Sequence, residues 1–513
     1  MTICFLAFFL TLFSSSISPV ELGILDTESE EERYNILYQA HWIALEKGIE
    51  VDYRGIDTLR ISIPRRAKSI PLGPTTDFNA VVFIVNNETM NNFFLFSSSN
   101  PASLVSIKDK SSFDSGNFRS TKVLRSGFKM LVVEDKNPWV ENRRGYNYGA
   151  IRKDIILLKD GKAQNTTVAP YNNPYSKPVC SMVTPSEHGK SFSNIEFYRT
   201  EKSTFKTFLV KFENDYGIHL ANITVNTPEG TGLYGDTAIF LTDCADVLME
   251  NIIINNTYSE SGKYGYGISM DNVLDVVFDQ VKGDAPWGVF GNNNINNITL
   301  RNSDVNRFDV HCYGKDLSFE DCLFDTAGLL YSSVYGLVRF TRCTFDHVFP
   351  CLNRLDYNAY SPFTLVFRGC NFSFDRQHYA VVNLSDIDEI PNPRFELSRK
   401  CLPDISLIDC NFTLAPDMKF LYIFYVGKCR YPWPVGNISS IEIENLQVSG
   451  SGTPLSLSNT YISTASPVKT KLGNITYRHL EEPSRPYHSF VNLKMLNHKA
   501  PDKNIVVGRE FVK

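Results

Sequence analysis

The chain has 513 residues, is 43% apolar and 13% aromatic, and carries 51 Lys and Arg against 56 Asp and Glu, a formal net charge of -5. That is enough apolar material for a large core, and length alone suggests about three domains. A near-balanced charge with no Lys/Arg block excludes a general nucleic-acid partner, so any basic site must be local.

The chain opens with an apolar run at residues 3–13, followed by small residues from Ser14 to Ser18. This reads as the h-region and cleavage region of a secretory signal over residues 1–18, although its n-region has no Lys or Arg. The run is too short to span a bilayer, and no later stretch qualifies. The protein is therefore expected to be exported, secreted or periplasmic.

Residues 19–75 read as an N-terminal cap with the first strands. Within 31–48, Tyr34, Ile36, Leu37, Ala40, Ile43 and Ala44 recur at helical spacing. Such a helix can plug the end of a solenoid, whose last strand otherwise exposes an unpaired edge. Residues 76–190 read as early, irregular coils with long loops, strands at 59–63, 80–85, 130–133 and 155–158 supplying them. The segment 137–175, with Trp139, Arg143, Arg144, Tyr146 and Tyr148, reads as a loop flanking a groove.

Between 218 and 448 a four-slot pattern returns nine times: apolar-x-apolar, then a polar corner, then a second apolar-x-apolar pair. Ile218, Leu220, Ile223 and Val225 open the series, and Val247, Met249, Ile252 and Ile254 repeat it. Later rungs include Leu317, Phe319, Cys322 and Phe324, and the last is Ile441, Ile443, Leu446 and Val448. The corner before the third slot is Asn222, Asn251, Gln280, Asn302, Asp321, Arg342, Gly369, Asp409 and Asn445 in turn. Alternation on both sides of a polar corner means two short strands meeting at a bend.

From one third slot to the next the spacings are 29, 29, 22, 19, 21, 27, 40 and 36 residues. A fixed-period helical repeat would not drift in this way. A solenoid of parallel strands tolerates it, because each insertion becomes a loop on one face. At about 4.8 Å per step, the eight steps between rungs make a wall of roughly 38 Å, long enough to lie against a polymer. One elongated solenoid, with regular coils over 191–450, replaces the expected three domains. After Gly450 the pattern decays, so 451–513 reads as a C-terminal cap with late strands near 505–511.

Eleven cysteines are present, and four of them, Cys322, Cys343, Cys370 and Cys410, share the inward third slot. They read as a stack of small buried hydrophobes rather than bridges or a metal site, since no CxxC pair exists. Cys351, Cys401 and Cys429 fall in inserted loops, where a bridge stays open. Ten Asn-x-Ser/Thr tripeptides occur, among them Asn222, Asn297, Asn371 and Asn411. Glycosylation is one reading; Asn at a coil corner followed by a β-favouring Thr is the structural one.

With a helix cap, aligned Asn corners and stacks of Cys or Phe, residues 31–450 resemble the right-handed parallel β-helix of the pectin-lyase-like superfamily. The resemblance implies an all-β, right-handed parallel β-helix solenoid with an N-terminal capping helix. It also implies action on acidic or neutral polysaccharides by β-elimination or hydrolysis, or a non-catalytic role. The runs Tyr264-Gly-Tyr-Gly-Ile-Ser, Trp287-Gly-Val-Phe-Gly and Arg307-Phe-Asp-Val-His-Cys-Tyr-Gly are similar to uncharacterised exported β-helix proteins of Bacteroides-type bacteria, which brings no reaction. The polygalacturonase pattern of Asn-x-Asp, Asp-Asp, Gly-His-Gly and Arg-x-Lys is absent. No counterpart of the pectate lyase calcium cluster is found, so a calcium requirement is left open without a site, and no metal ligand is assigned.

A further strand precedes each rung. Alignment places Ile239 and Leu241 inward with Ile268 and Met270, with Val289 and Gly291, and with Val310 and Cys312. Phe240, Ser269, Phe290 and His311 then face out, and Asp309 shares the face of His311 by the period of two. Arg307 precedes them, Trp287 lies one coil away, Lys263, Tyr264 and Tyr266 two, and Asp236 three. Arg307 suits a uronate carboxylate and a neutral His311 can accept a proton. Tyr313 or Tyr264 could protonate a leaving oxygen, while Trp287 offers a flat surface to a sugar ring.

Together these residues suit β-elimination on an acidic polysaccharide. Hydrolysis would need two carboxyl groups roughly 5 to 9.5 Å apart. Asp309 with Asp284, one coil away, or with Asp356, two coils away, falls in that range, Arg354 and Tyr357 then joining the subsite. Asp236 lies about 14 Å from Asp309 by coil spacing, too far. The alternatives remain a glycan-binding or structural β-helix, with Asp309 and His311 merely hydrogen-bonded, Trp287 and Phe290 packed under loops, Lys263 solvated and Arg307 capping a bend.

Overall fold

The computed structural model describes residues 15–89, 92–135, 151–167, 177–186, 189–200, 203–204, 206–227, 236–256, 265–285, 287–353, 363–384, 402–427, 438–450, 455–459, 469–473, 475–479 and 507–511. They fall into two compact units. The first is Met1–Val133 with Ile155–Thr166 and Val179–Gly291, and the second is Glu134–Asp154 with Thr167–Pro178 and Asn292–Lys513. The apolar run at 3–13 and the groove loop residues Trp139, Arg143, Arg144, Tyr146 and Tyr148 lie outside the described residues. Among the described residues, no helix is long and apolar enough to cross a membrane.

Both units carry the rungs of a parallel β-helix. In the first, Ile218 pairs in parallel with Val247 and Val247 with Val276, while Ile223 pairs with Ile252 and Ile252 with Val281. In the second, the first slot runs Leu317, Val338, Leu365, Ile405, Ile441, and the second slot Phe319, Phe340, Phe367, Leu407, Ile443. The fourth slot runs Phe324, Phe345, Phe372, Phe412, Val448. Each is the alignment that the slot pattern predicts.

All nine corner residues adopt the left-handed conformation, from Asn302 at φ 52° to Gly369 at φ 63°. A residue with a Cβ pays for this geometry, Asn and Asp least and Gly not at all. That preference is what makes the corner column polar. The corner side chains also bond to one another: Asn251 Nδ2 donates to Asn222 Oδ1 at 2.9 Å, and Asn222 Nδ2 to Asn194 Oδ1 at 2.8 Å. Asn222 therefore has a structural employment for its amide.

The interior of the second unit is built from like-on-like columns. Phe319, Phe340 and Phe367 stack at 4.5 and 4.9 Å within 12° of parallel, and Phe324, Phe345 and Phe372 at 5.3 and 5.1 Å. Cys322, Cys343, Cys370 and Cys410 are buried free thiols. Each Sγ lies 3.4 to 3.6 Å from the carbonyl of the second slot one rung back, namely Leu300, Phe319, Phe340 and Phe367, and 3.2 to 3.5 Å from the carbonyl two residues before it. Cys351, expected in a loop, is a buried free thiol in the strand Cys351–Asn353. Cys401 and Cys429 lie outside the described residues.

The capping helix is Glu30–Lys47, with Ser29 accepting from the Glu32 N–H and Gly48 closing it in the left-handed conformation. It packs on the strands Thr58–Ser62 and Ile70–Pro71 of the first unit. Its buried His41 is 1% exposed, within 2.6 Å of the Tyr53 hydroxyl and stacked against Phe78. Burial pushes the His41 imidazole down to about 3. At the start of the described chain, Ser16–Ile17 pairs in parallel with Glu50–Val51, and Ile17 is buried.

One expectation about the early strands needs correction. The strands at 130–133 and 155–158 are not coils of the solenoid: Phe128–Asp135 and Lys153–Lys159 belong to a separate five-stranded sheet with antiparallel pairs. In the first unit its face, Met130, Ile155, Leu157 and Val183, packs on Ala245 and Leu274. Antiparallel and solenoid strands share the period of two, so pattern alone does not separate them. Beyond Gly450 parallel stacking continues into the late strand Val507–Phe511: the third slot runs Leu446, Ile475, Val507, while the fourth passes from Val448 to Tyr477 and Arg509.

Replacing Asn251 by Val, which resists the left-handed region, should cost about 1–2 kcal/mol, whereas Asn251→Gly should be near neutral; urea denaturation compares them. His41 is neutral in the folded state down to about pH 3 but protonates in the unfolded chain near pH 6.5. Stability should therefore fall as pH drops from 6.5 toward 3, and thermal melts of His41→Gln should show a shallower decline over that window.

Candidate functional site

The strand Phe308–Glu320 of the second unit carries the densest reactive group. Phe308 and Val310 are buried, the Phe308 ring standing 5.2 Å from that of Phe319. Residues 307, 309 and 311 share the opposite parity. Arg307 Nη2 donates to Asp309 Oδ2 at 2.8 Å, and His311 Nε2 lies 3.7 Å from the same oxygen. The Asp309 side chain is 0% exposed, while Arg307 and His311 show 18% and 17%. A shielded carboxylate thus sits between two cation-forming groups whose outer edges reach solvent.

The backbone beneath is held by buried amides. Asn292 Nδ2 donates to the Asp309 carbonyl at 2.9 Å, and Asn306 Oδ1 accepts the Arg307 N–H at 3.0 Å. Asn292 is fully buried. These bonds set the height of Asp309 in the strand and hence the places of the guanidinium and imidazole.

Tyr313, expected to act as an acid on this face, is 3% exposed and takes a left-handed φ of 60°. That bend breaks the alternation that would have aligned it with His311. Burial pushes its hydroxyl well above the ordinary tyrosine value, with Cys312 and Tyr335 adding to this and Arg152 opposing it. It is a buried neutral phenol, not an acid presented to a polymer.

A second polar group of the same unit escaped the sequence reading. Arg152 Nε meets Asp154 Oδ2 at 2.9 Å with both side chains buried, 0% and 1% exposed. Asp135, also buried, accepts the Lys177 N–H at 2.8 Å, and its own N–H donates to the Arg152 carbonyl. The Lys153 N–H donates to Asn294 Oδ1 at 3.0 Å, and Lys315 Nζ to the Thr167 carbonyl at 3.0 Å. Residues 151–154 are thereby docked on the strand Gly288–Arg301. In sequence, Arg-Lys-Asp reads as a solvated charge run, so nothing distinguished the buried pair.

The other expected residues lie in the first unit or outside the described residues. Trp287 and Tyr266 belong to the first unit, where their rings pair at 5.3 Å, and the Trp287 N–H donates to the Gly265 carbonyl. Phe290, placed outward, is fully buried with its ring 4.8 Å from Phe278. Residues 288–292 are all buried, so the period of two on which that placement relied does not hold there. Asp284 is exposed in the first unit, and the Asp236 backbone pairs with Gly265. Lys263, Tyr264, Arg354, Asp356 and Tyr357 lie outside the described residues. Among the described residues, no three His, Cys, Asp or Glu side chains gather as a metal site.

No family model matches this chain, and no curated protein matches it. Among solved structures it is similar to the tailspike protein gp49 of Pseudomonas phage LKA1, at 14% identity over 91% of this chain and 78% of that one, with a TM-score of 0.47. It is similar to the Gp54 tailspike of Acinetobacter baumannii bacteriophage AP22, solved in complex with a capsular saccharide, at 10% identity over 90% and 74%, TM-score 0.47. The tailspike gp61 of Pseudomonas phage phi297 gives 9% identity over 90% and 80%, TM-score 0.47.

Removing one partner of a buried ion pair strands the other charge without water. Asp154→Ala should therefore destabilise the protein by about 3–5 kcal/mol, while the double change Arg152→Met with Asp154→Leu should cost far less; urea denaturation of the three proteins makes the comparison.

Proposed function

We propose that this protein is an exported, carbohydrate-active β-helix that cleaves an acidic polysaccharide by β-elimination. The observation that carries the reading is the Arg307–Asp309–His311 group, in which one buried carboxylate holds a guanidinium and an imidazole side by side with their edges exposed. A uronate residue needs its carboxylate neutralised before the adjacent carbon gives up a proton, and a guanidinium does this in planar geometry. An imidazole beside it can act as the proton acceptor.

In the proposed step, His311 takes the proton on the carbon next to the uronate carboxylate. The C–H electron pair forms the new carbon–carbon double bond, and the glycosidic oxygen leaves with the bonding pair. Tyr313 is buried, so water supplies the proton to that oxygen. Asp309 acts as a positioning residue: its carboxylate is committed to Arg307 and shielded from solvent, which disfavours its use as a hydrolytic acid or nucleophile.

Incubation with polygalacturonate, alginate and hyaluronate should yield unsaturated oligosaccharides that absorb in the ultraviolet and are lighter by one water than hydrolysis products. His311→Ala should lower the rate by roughly 10²–10⁴-fold with the far-ultraviolet spectrum unchanged. Reducing ends without that absorbance would replace elimination by hydrolysis, and no product from any of these polymers would leave a binding protein.

A further inference from the structure

The second unit holds a cleft of about 530 Å³ on strands later than the Arg307–Asp309–His311 group, lined by Tyr379, Tyr422, Tyr425, Phe420, Arg376 and Lys419. Nothing in the sequence pattern pointed to it, because Arg376, Tyr379, Lys419 and Phe420 lie between strands and Tyr422 and Tyr425 lie in the strand Leu421–Val426, outside the four-slot series.

Its floor is aromatic. The Phe420 and Tyr422 rings lie 6.1 Å apart and within 11° of parallel, and the Tyr379 ring stands edge-on to Tyr425 at 4.9 Å. Phe420 is 60% exposed, a large apolar ring left against water at a cost that an occupant would relieve. Flat π-faces are electron-rich and suit the C–H face of a sugar ring. The floor is also rigid: the Tyr422 N–H donates to the Tyr379 carbonyl at 2.9 Å. Asn459, a further lining residue, bonds both the N–H and the carbonyl of Val426 at 2.8 Å.

The rim is charged. Arg376 Nε meets Asp417 at 2.6 Å, both well exposed, which balances that cation. Lys419 is exposed, and among the described residues no ion pair involves it. The cleft therefore combines sugar-sized aromatic faces with one uncompensated positive charge.

Strand register ties this cleft to the proposed catalytic strand. Asp309 aligns with Leu330, Leu330 with Leu352, Leu352 with Asn383, and Asn383 with Tyr425. Four parallel steps of about 4.8 Å place Tyr425 roughly 19 Å along the same face of the rungs, a span of several sugar units.

We propose that this cleft is a distal subsite for an acidic polysaccharide, with sugar rings stacked on Phe420, Tyr422 and Tyr425 and an anionic group held by Lys419. The choice of polymer class rests on the function proposed above; the subsite itself is read from its own rings and charge.

Affinity electrophoresis of the intact protein through gels cast with polygalacturonate, alginate, hyaluronate or dextran tests it without requiring turnover. Retardation is expected in at least one acidic gel and not in dextran. Phe420→Ala and Lys419→Ala, both at exposed positions, should each weaken that affinity about tenfold, and Leu104→Ser, at an exposed site of the first unit, should not. Retardation that survives both substitutions, retardation by dextran alone, or none in any gel would overturn the subsite. Cleavage without dependence of binding on Phe420 and Lys419 would overturn the subsite and leave the proposed reaction standing. Dependence without cleavage would do the reverse.

Discussion

Each rung turns on a backbone residue held near φ 55°, and everything that the rungs position depends on that bend being repeated at the same height. The left-handed conformation lets two short strands meet at a corner without a loop, so the apolar slots on either side point into one interior. Where the corner is Asn or Asp, the side chain also bonds its counterpart one rung away, as Asn445 Nδ2 does to Asp409 Oδ1 at 2.9 Å. The corner thus sets both the bend within a rung and the register between rungs.

Register in turn explains the interior columns. Because aligned residues recur at strand spacing, like side chains meet like: phenylalanines stack nearly face to face, and buried cysteines follow one another in the third slot. The same alignment acts on the outer surface. It carries the face of Asp309 through three intermediate strands to Tyr425, and so relates a cationic, titratable cluster to an aromatic cleft more than a hundred residues later. The proposed function and the proposed subsite both draw on this alignment.

The Arg307–Asp309–His311 group shows how burial divides labour among neighbours on a single strand. Period-two alternation puts all three on one face, yet only the outer two keep an exposed edge. The central carboxylate is desolvated and already bonded to the guanidinium. Tyr313, two residues on, would have completed the row, but its left-handed φ takes it into the interior.

Corner positions, slot alignment and the capping helix were legible in the amino-acid order because each follows from a local rule: few residues tolerate a positive φ, apolar residues alternate along a half-buried strand, and Ser29 and Gly48 bound a helical apolar face. The antiparallel identity of Phe128–Asp135 and Lys153–Lys159 was not legible, since a strand looks the same whichever partner it finds. Nor was the burial of Arg152 and Asp154, as a charged pair reads as solvent-facing until another segment covers it. The chain by itself determined a stacked parallel helix and put Arg307, Asp309 and His311 on one face. Only the tertiary structure decided which of them stay exposed, and that Arg376, Tyr379, Lys419, Phe420, Tyr422 and Tyr425 meet around one cleft. Strand periodicity is local, whereas burial and convergence depend on which distant segments stack against each other.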